Sequence, residues 1–324
     1  MADLRLGIDV SPLELTDAGT ARYLRNLLDR LDGVSVRRYA VPGTSRSAKV
    51  ARDVVWYLAS LPRRAAKEKV DVLHCPGHRG PLRSQVPVVI TVHDLAVLRH
   101  PETFNRWTRT YSSFLLPRIV RAAARVIAVS EFTAAEAVEL LGADESRLRV
   151  VPNGVGPPFQ PEGPAAEGEY ALAVGTVEPR KNLPRAALAA ERAGIELRVV
   201  GPSGWGDVGI ESLGFVDDEE LARLYRGAQC LVYPSLYEGF GLPVLEAMAC
   251  GTPVVTSNSG ATAEIAGDAA VLVDPLDVDS IAGGIAEALG RREERLAKGV
   301  ERARQFTWDE TARRTLEVYR EAAS

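Results

Sequence analysis

A chain of 324 residues, 46% apolar and 25% charged, has room for two domains with buried cores and lacks the composition of a disordered or fibrous protein. No apolar run reaches the ~18 residues of a membrane-spanning helix, and Met1–Arg5 leads straight into a strand-like segment, so neither a bilayer anchor nor a leader peptide is expected. The net charge of −4 is uneven: residues 1–150 carry 23 Lys and Arg against 16 Asp and Glu, a balance of +7, and the remainder stands at −11. The two halves therefore face different partners, or one half faces an anionic surface. Cys75, Cys230 and Cys250 are odd in number and lack metal-ligand spacing, which points to reduced core thiols in a cytoplasmic protein.

In chain order, Leu4–Val10, Val70–Cys75, Val88–His93 and Ala124–Ser130 read as buried strands, each followed by a helical pattern. Then Val151-Pro152-Asn153-Gly154-Val155-Gly156-Pro157-Pro158 is dense in turn residues, and Pro and Gly continue to Gly168. Tyr170–Val174, Glu196–Val200, Cys230–Pro234, Pro253–Thr256 and Ala270–Val273 read as a second set of strands. Continuous apolar strands alternating with helices argue for parallel sheets. The fold class expected is α/β, with two Rossmann-like doubly wound domains facing across a cleft. The boundaries expected are 1–155 for the first domain, 156–168 for a linker, 169–305 for the second domain, and 306–324 for a helix that returns to the first. Trp308, Leu316 and Tyr319 form its apolar stripe, and Thr307 is positioned to cap it.

Open α/β sheets bind ligands outside the carboxyl ends of their strands, so strand-end loops are where chemistry is sought. Residues 233–251 form a strand, a loop with Gly239 and Gly241, and a helix opened by Pro243 and stopped by Gly251. The N–H groups at that helix start suit an anion. Glu238 and Glu246 flank it; carboxylates there suit ligand hydroxyls, while the plainer reading of Glu246 is a solvated first-turn acid. Arg180 and Lys181, after Gly175-Thr176 and before Asn182, suit a diphosphate or a solvated basic loop. His93-Asp94 ends a first-domain strand; His93 either points into the cleft or is structural, as a lone histidine beside a strand commonly is, and Asp94 orients it or caps the next element. His74, His78 and His100 read as structural. Gly19 opens a helix where the backbone can approach a ligand closely. No set of His, Asp, Glu or Cys has metal-ligand spacing.

Together these residues resemble the retaining glycosyltransferases of family 4, which have the GT-B fold. The resemblance spans nearly the whole chain. It is carried by Glu238 and Glu246 in an E-x7-E pattern around Gly-Phe-Gly-Leu-Pro, by Arg180-Lys181-Asn182, and more loosely by His93-Asp94 and Phe306-Thr307-Trp308. It implies that Glu246 holds the ribose diol and Glu238 the donor hexose hydroxyls. Arg180 and Lys181 would clamp the diphosphate with the N–H groups of Gly241 and Leu242, and the loop Gly214-Phe215-Val216 would bracket the base. His93 would support an oxocarbenium-like transition state. The implied reaction is α-retaining, uses no metal or cofactor, and moves a hexose from a GDP, UDP or ADP sugar to a glycan, lipid-linked or small-molecule acceptor. The His93-Asp94-Leu95 region resembles bacterial polysaccharide mannosyltransferases, which favours GDP-mannose. Where many relatives have paired glycines, this chain has Ala18-Gly19.

Residues 37–69 carry nine cations against Asp53 and Glu68, with Trp56, Tyr57, Leu58 and Leu61 among them. They read either as a peripheral contact with an anionic membrane, or as a solvated helix face whose apolar stripe lies in the core. No nucleic-acid partner is expected. The competing classes are another GT-B enzyme, such as a sugar-nucleotide epimerase or a phosphorylase, and a non-catalytic sugar-nucleotide-binding protein. No lysine site for pyridoxal phosphate is identifiable.

Overall fold

The computed structural model describes residues 4–15, 19–41, 52–204 and 209–324. Residue contacts divide the chain into two units: Met1–Asn153 with Trp308–Ser324, and Gly154–Thr307.

The first unit holds a six-stranded sheet of β1 (Leu4–Asp9), β2 (Val34–Tyr39), β3 (Val72–Cys75), β4 (Val88–Val92), β5 (Arg125–Ala128) and β6 (Leu148–Val150), in the order β2-β1-β3-β4-β5-β6 with every pairing parallel. Every residue of β3 and β4 is buried, which is why these runs are apolar but for His74 and Thr91 rather than alternating. The edge strand β2 instead alternates and exposes Arg37 and Arg38. The closing helix Trp308–Ala323 belongs to this unit and packs on β3, β4, β5 and the helix Gly19–Leu28. Trp308, Val318 and Tyr319 are buried on it, as are Thr311 and Thr315, while Leu316 is only half-buried. Glu321 pairs with both Arg125 and Arg149.

The second unit holds β7 (Tyr170–Val174), β8 (Glu196–Val200), β9 (Cys230–Tyr233), β10 (Val254–Ser257) and β11 (Val271–Val273), in the order β11-β10-β9-β7-β8 and again parallel. The carboxyl ends of β8, β7 and β9 therefore lie side by side along one edge. Residues 156–168, read from the sequence as a linker, are held on this unit. Phe159 packs edge-on to Tyr225, and the Arg226 guanidinium donates to the carbonyls of Pro158, Gln160 and Pro164.

Residues 42–51 of the basic segment lie outside the described residues, and with them Arg46 and Lys49. In the rest of it Trp56, Tyr57 and Leu61 are buried in the core with Tyr39 and Val41. Of the two readings of this segment, the burial matches the apolar stripe in the core: the ring area is already removed from water and is not on offer to lipid. Arg37, Arg38, Arg63, Arg64, Lys67 and Lys69 stay exposed. No helix among the described residues is long and apolar enough to cross a membrane.

Candidate functional site

In the second unit the loop after β7 is shaped by two backbone irregularities. Gly175 has φ +135° and Asn182 has φ +58°. The Asn182 side chain donates to the carbonyls of Pro234 (3.0 Å) and Pro275 (2.6 Å), tying this loop to those after β9 and β11. A close approach holds it from the other side: a Cβ on Gly201 (φ +148°) would sit 2.0 Å from the Gly175 carbonyl oxygen. Arg180 and Lys181 lie on a short turn, Pro179–Lys181, just before the helix Leu183–Arg192.

Across from them, the loop after β9 carries Glu238. Its carboxylate accepts from Lys181 Nζ at 2.6 Å and from the Tyr233 hydroxyl at 2.8 Å, and it pairs with Arg180 Nη1 at 3.0 Å. Lys181 also donates to the Tyr233 hydroxyl at 2.6 Å. Burial alone pushes the Glu238 carboxyl upward, but the charges of Lys181 and Arg180 outweigh it and hold the group down to about 2. Arg180 is further paired with the buried Glu178 and donates to the Tyr237 carbonyl at 2.7 Å. Arg180 and Lys181, expected from the resemblance to clamp a diphosphate, lie in a cluster of two cations and two carboxylates with no net charge.

The helix Leu242–Ala249 follows. Gly241 precedes it in the left-handed region (φ +101°), a conformation that strains any side chain but glycine's, and Pro243 occupies its first turn. Glu246 is 2% exposed and accepts from the Tyr225 hydroxyl at 3.1 Å, so it is not a solvated first-turn acid. Beside this region Gly214 bonds back to Gly201 (3.0 Å), Phe215 is 69% exposed and Val216 half-buried. The structure therefore brings Arg180, Lys181 and Glu238 together within one unit, with Glu246, Gly241, Leu242 and Val216 on neighbouring strand ends of that sheet.

In the first unit His93 follows β4. Its ring bonds the Pro76 carbonyl and packs edge-on to Tyr23, with ring centroids 4.9 Å apart. Its Nε2 is buried and has no hydrogen-bond partner among the described residues, and the same is true of His78. Burial lowers His93 to about 4, so it is neutral near pH 7. The Asp94 carboxylate accepts from the Ala96 N–H at 3.0 Å, at the start of the helix Ala96–Arg99. A cavity of about 190 Å³ opens here, lined by Asp9, Thr20, Tyr57, His78, Arg79 and His93 among others. Asp9 is buried and accepts from the Ser11 hydroxyl (2.5 Å) and the Tyr57 hydroxyl (2.9 Å); burial raises its carboxyl. Gly19 opens the adjacent helix, directly after residues 16–18, which lie outside the described residues. His74 is structural, with both ring nitrogens bonded, and His100 lies near Glu102 on the surface. Among the described residues no group of three His, Cys, Asp or Glu is placed to hold a metal ion.

The model of the glycosyl transferases group 1 matches residues 159–306, and that of glycosyltransferase family 4 matches residues 4–157. The O-antigen chain mannosyltransferase B of Escherichia coli is 33% identical over 296 residues, covering 80% of this chain and 77% of that one. The chain belongs to glycosyltransferase family 4. Another family relative, the D-inositol 3-phosphate glycosyltransferase of Kribbella flavida, is 32% identical over 99% of this chain and 88% of its own. The structure of Anabaena Alr3699/HepE in complex with UDP and glucose superposes with a TM-score of 0.71 at 17% identity, over 97% of this chain and 98% of that one. The two parallel-sheet units are those of the GT-B fold.

For this glycosyltransferase, sequence reasoning passed over four site groups. Glu178 and Tyr233 stood inside the quoted motifs with no role assigned, although a buried acid next to Arg180 was a usable signal. Tyr225 lies 21 residues from Glu246, and Tyr57 lies 48 residues from Asp9. Neither pairing has a local signature.

Proposed function

We propose that this family 4 enzyme transfers a hexose from a nucleotide-diphosphate sugar to a glycan, lipid-linked or small-molecule acceptor with retention of the α configuration and without a metal. GDP-mannose is the preferred donor. The observation that carries this reading is the Glu238 carboxylate locked by Lys181, Arg180 and Tyr233 at the carboxyl edge of β7 and β9. A carboxylate so fixed accepts hydrogen bonds from hexose hydroxyls at a defined point. The cations beside it, with the N–H groups of Gly241 and Leu242, meet the charge that builds on the departing diphosphate, without reorganising as it forms. Glu246 takes the ribose diol, Val216 and its loop flank the base, and Gly19 lets the backbone approach the donor. His93, neutral and with an unused Nε2, supports the oxocarbenium-like transition state.

The names of the relatives support a mannosyl donor in one case and an inositol phosphate acceptor in the other. A protein of the same fold is solved with UDP and glucose. The exposed cations Arg37, Arg38, Arg63, Arg64, Lys67 and Lys69 are what the basic segment offers an anionic lipid. A donor screen tests the proposal: nucleotide release from GDP-mannose, UDP-glucose, UDP-N-acetylglucosamine and ADP-glucose is followed with mixed acceptors, with and without a chelator. Release from one donor, unaffected by the chelator, is expected. No turnover on any donor, or loss with the chelator, contradicts it.

A further inference from the structure

The first unit contains a buried run of hydrogen bonds that begins and ends on the closing helix. The Tyr319 hydroxyl meets His74 Nδ1 at 2.7 Å, and His74 Nε2 meets the Thr91 hydroxyl at 2.8 Å. Thr91 meets the Tyr23 hydroxyl at 3.4 Å, and Tyr23 in turn bonds Thr315. Thr315 gives its own proton to the Thr311 carbonyl, 2.7 Å away and one turn back.

Satisfying every buried proton sets the direction of this run. Thr315 has already donated, so its oxygen accepts from Tyr23. Tyr23 therefore accepts from Thr91, whose oxygen accepts from His74 Nε2–H. His74 then carries its proton on Nε2, and its Nδ1 accepts from Tyr319. In the reverse direction Thr315 would have to donate twice, to Tyr23 and to the Thr311 carbonyl. All five side chains are buried, so an unmet proton would have no water to turn to.

The run fixes one ring in particular. Tyr23 stands edge-on to His93 at 4.9 Å and an interplanar angle of 74°, and its hydroxyl is held from both β4 and the closing helix. We infer that Tyr23 is a positioning residue for His93, and that Thr315 on the closing helix fixes it in turn. The inference rests on the catalytic reading of His93, but its structural half is measurable without turnover.

The test compares Thr315→Val, Tyr23→Phe and the wild type in the full chain. Thr315→Val keeps the shape at 315 and removes the acceptor, two contacts away from His93. Long-range nitrogen–proton spectra resolve the four histidines, and the His93 ring proton reports the ring current of Tyr23. Both variants are expected to move that signal while remaining folded. Both are expected to lower kcat by ~10-fold on the wild type's best donor, with nucleotide affinity unchanged. A merely structural role would lower the melting temperature and leave kcat per folded molecule intact. An unmoved His93 signal in a folded Thr315→Val protein overturns the positioning claim. Full turnover by His93→Ala, measured alongside, overturns the catalytic reading instead. Should Thr315→Val fail to fold, Tyr23→Phe decides the positioning claim on the same signal.

Discussion

Glu238 and Lys181, 57 residues apart in the chain, meet at 2.6 Å in the second unit, and Tyr233 is bonded to both. The pair turns what looked like a free cationic clamp into a neutral, pre-formed cluster. On the proposed reading, an incoming diphosphate would meet cations whose positions are already fixed, at the expense of a carboxylate competing for them.

That competition gives an unusual expectation for Glu238→Gln. Removing the carboxylate frees Lys181 and weakens the hold on Arg180, so nucleoside diphosphate should bind as tightly as to the wild type or up to ~10-fold more tightly. Turnover should fall by ~100-fold, because the hexose hydroxyls lose their charged acceptor and face an amide with one accepting oxygen. Stability should drop by about 3 kcal/mol, at the low end for breaking a buried pair, since Glu178 still holds Arg180. Calorimetric titration and kinetics check both arms; loss of diphosphate affinity would count against the cluster as described.

Gly201→Ala tests how the β7 loop is held. The new Cβ would meet the Gly175 carbonyl at 2.0 Å with the backbone at φ +148°, and the obstacle is backbone that no rotamer change removes. Combined strain and overlap should destabilise the second unit by roughly 4 kcal/mol or more. Denaturant melts decide it, and a loss below ~1 kcal/mol would contradict the geometry.

Acid should unfold the first unit before the second. All four histidines lie in residues 74–100, and burial lowers His74 to about 3 and His93 to about 4. A histidine whose folded pKa is depressed leaves the unfolded chain binding the extra proton, so stability is full above ~6.5 and falls as pH drops toward the folded value. Each should remove about 1.4 kcal/mol per pH unit between ~6.5 and ~4.5. Glu238, held at about 2, adds its own loss only below its ordinary value of 4.5. Urea melts at pH 7, 6, 5 and 4.5 should show this fall, with a shallower slope in His74→Gln; a flat profile would contradict it.

The sheets were readable because their central strands are buried on both faces. Val88–Val92 is apolar but for Thr91 for that reason. The two edge strands of the first sheet were not foreseen. Val34–Tyr39 alternates and carries Arg37 and Arg38, and Leu148–Val150 spans three residues. Site membership was legible where residues are close in sequence, as with Arg180-Lys181 and Glu238–Glu246. Glu178 and Tyr233, two and five residues from Arg180 and Glu238, stand in the same motifs, but the Tyr225–Glu246 and Lys181–Glu238 pairings span 21 and 57 residues and have no local trace. Trp56 and Tyr57 left two readings open because a basic segment with aromatics looks alike whether its rings face lipid or core; in the fold they face the core.

The central claim is that the helix Leu242–Ala249 and its preceding loop grip the donor nucleotide, and Glu246 tests it most directly. Calorimetric titration of UDP, GDP and ADP into the wild type and Glu246→Ala measures that grip. One nucleotide should bind the wild type with a Kd between about 1 μM and 1 mM, the usual range for substrates. The substitution should weaken it by at least ~10-fold, the value of one charge-assisted hydrogen bond to a ribose hydroxyl. Equal affinity in a folded Glu246→Ala protein would contradict the account.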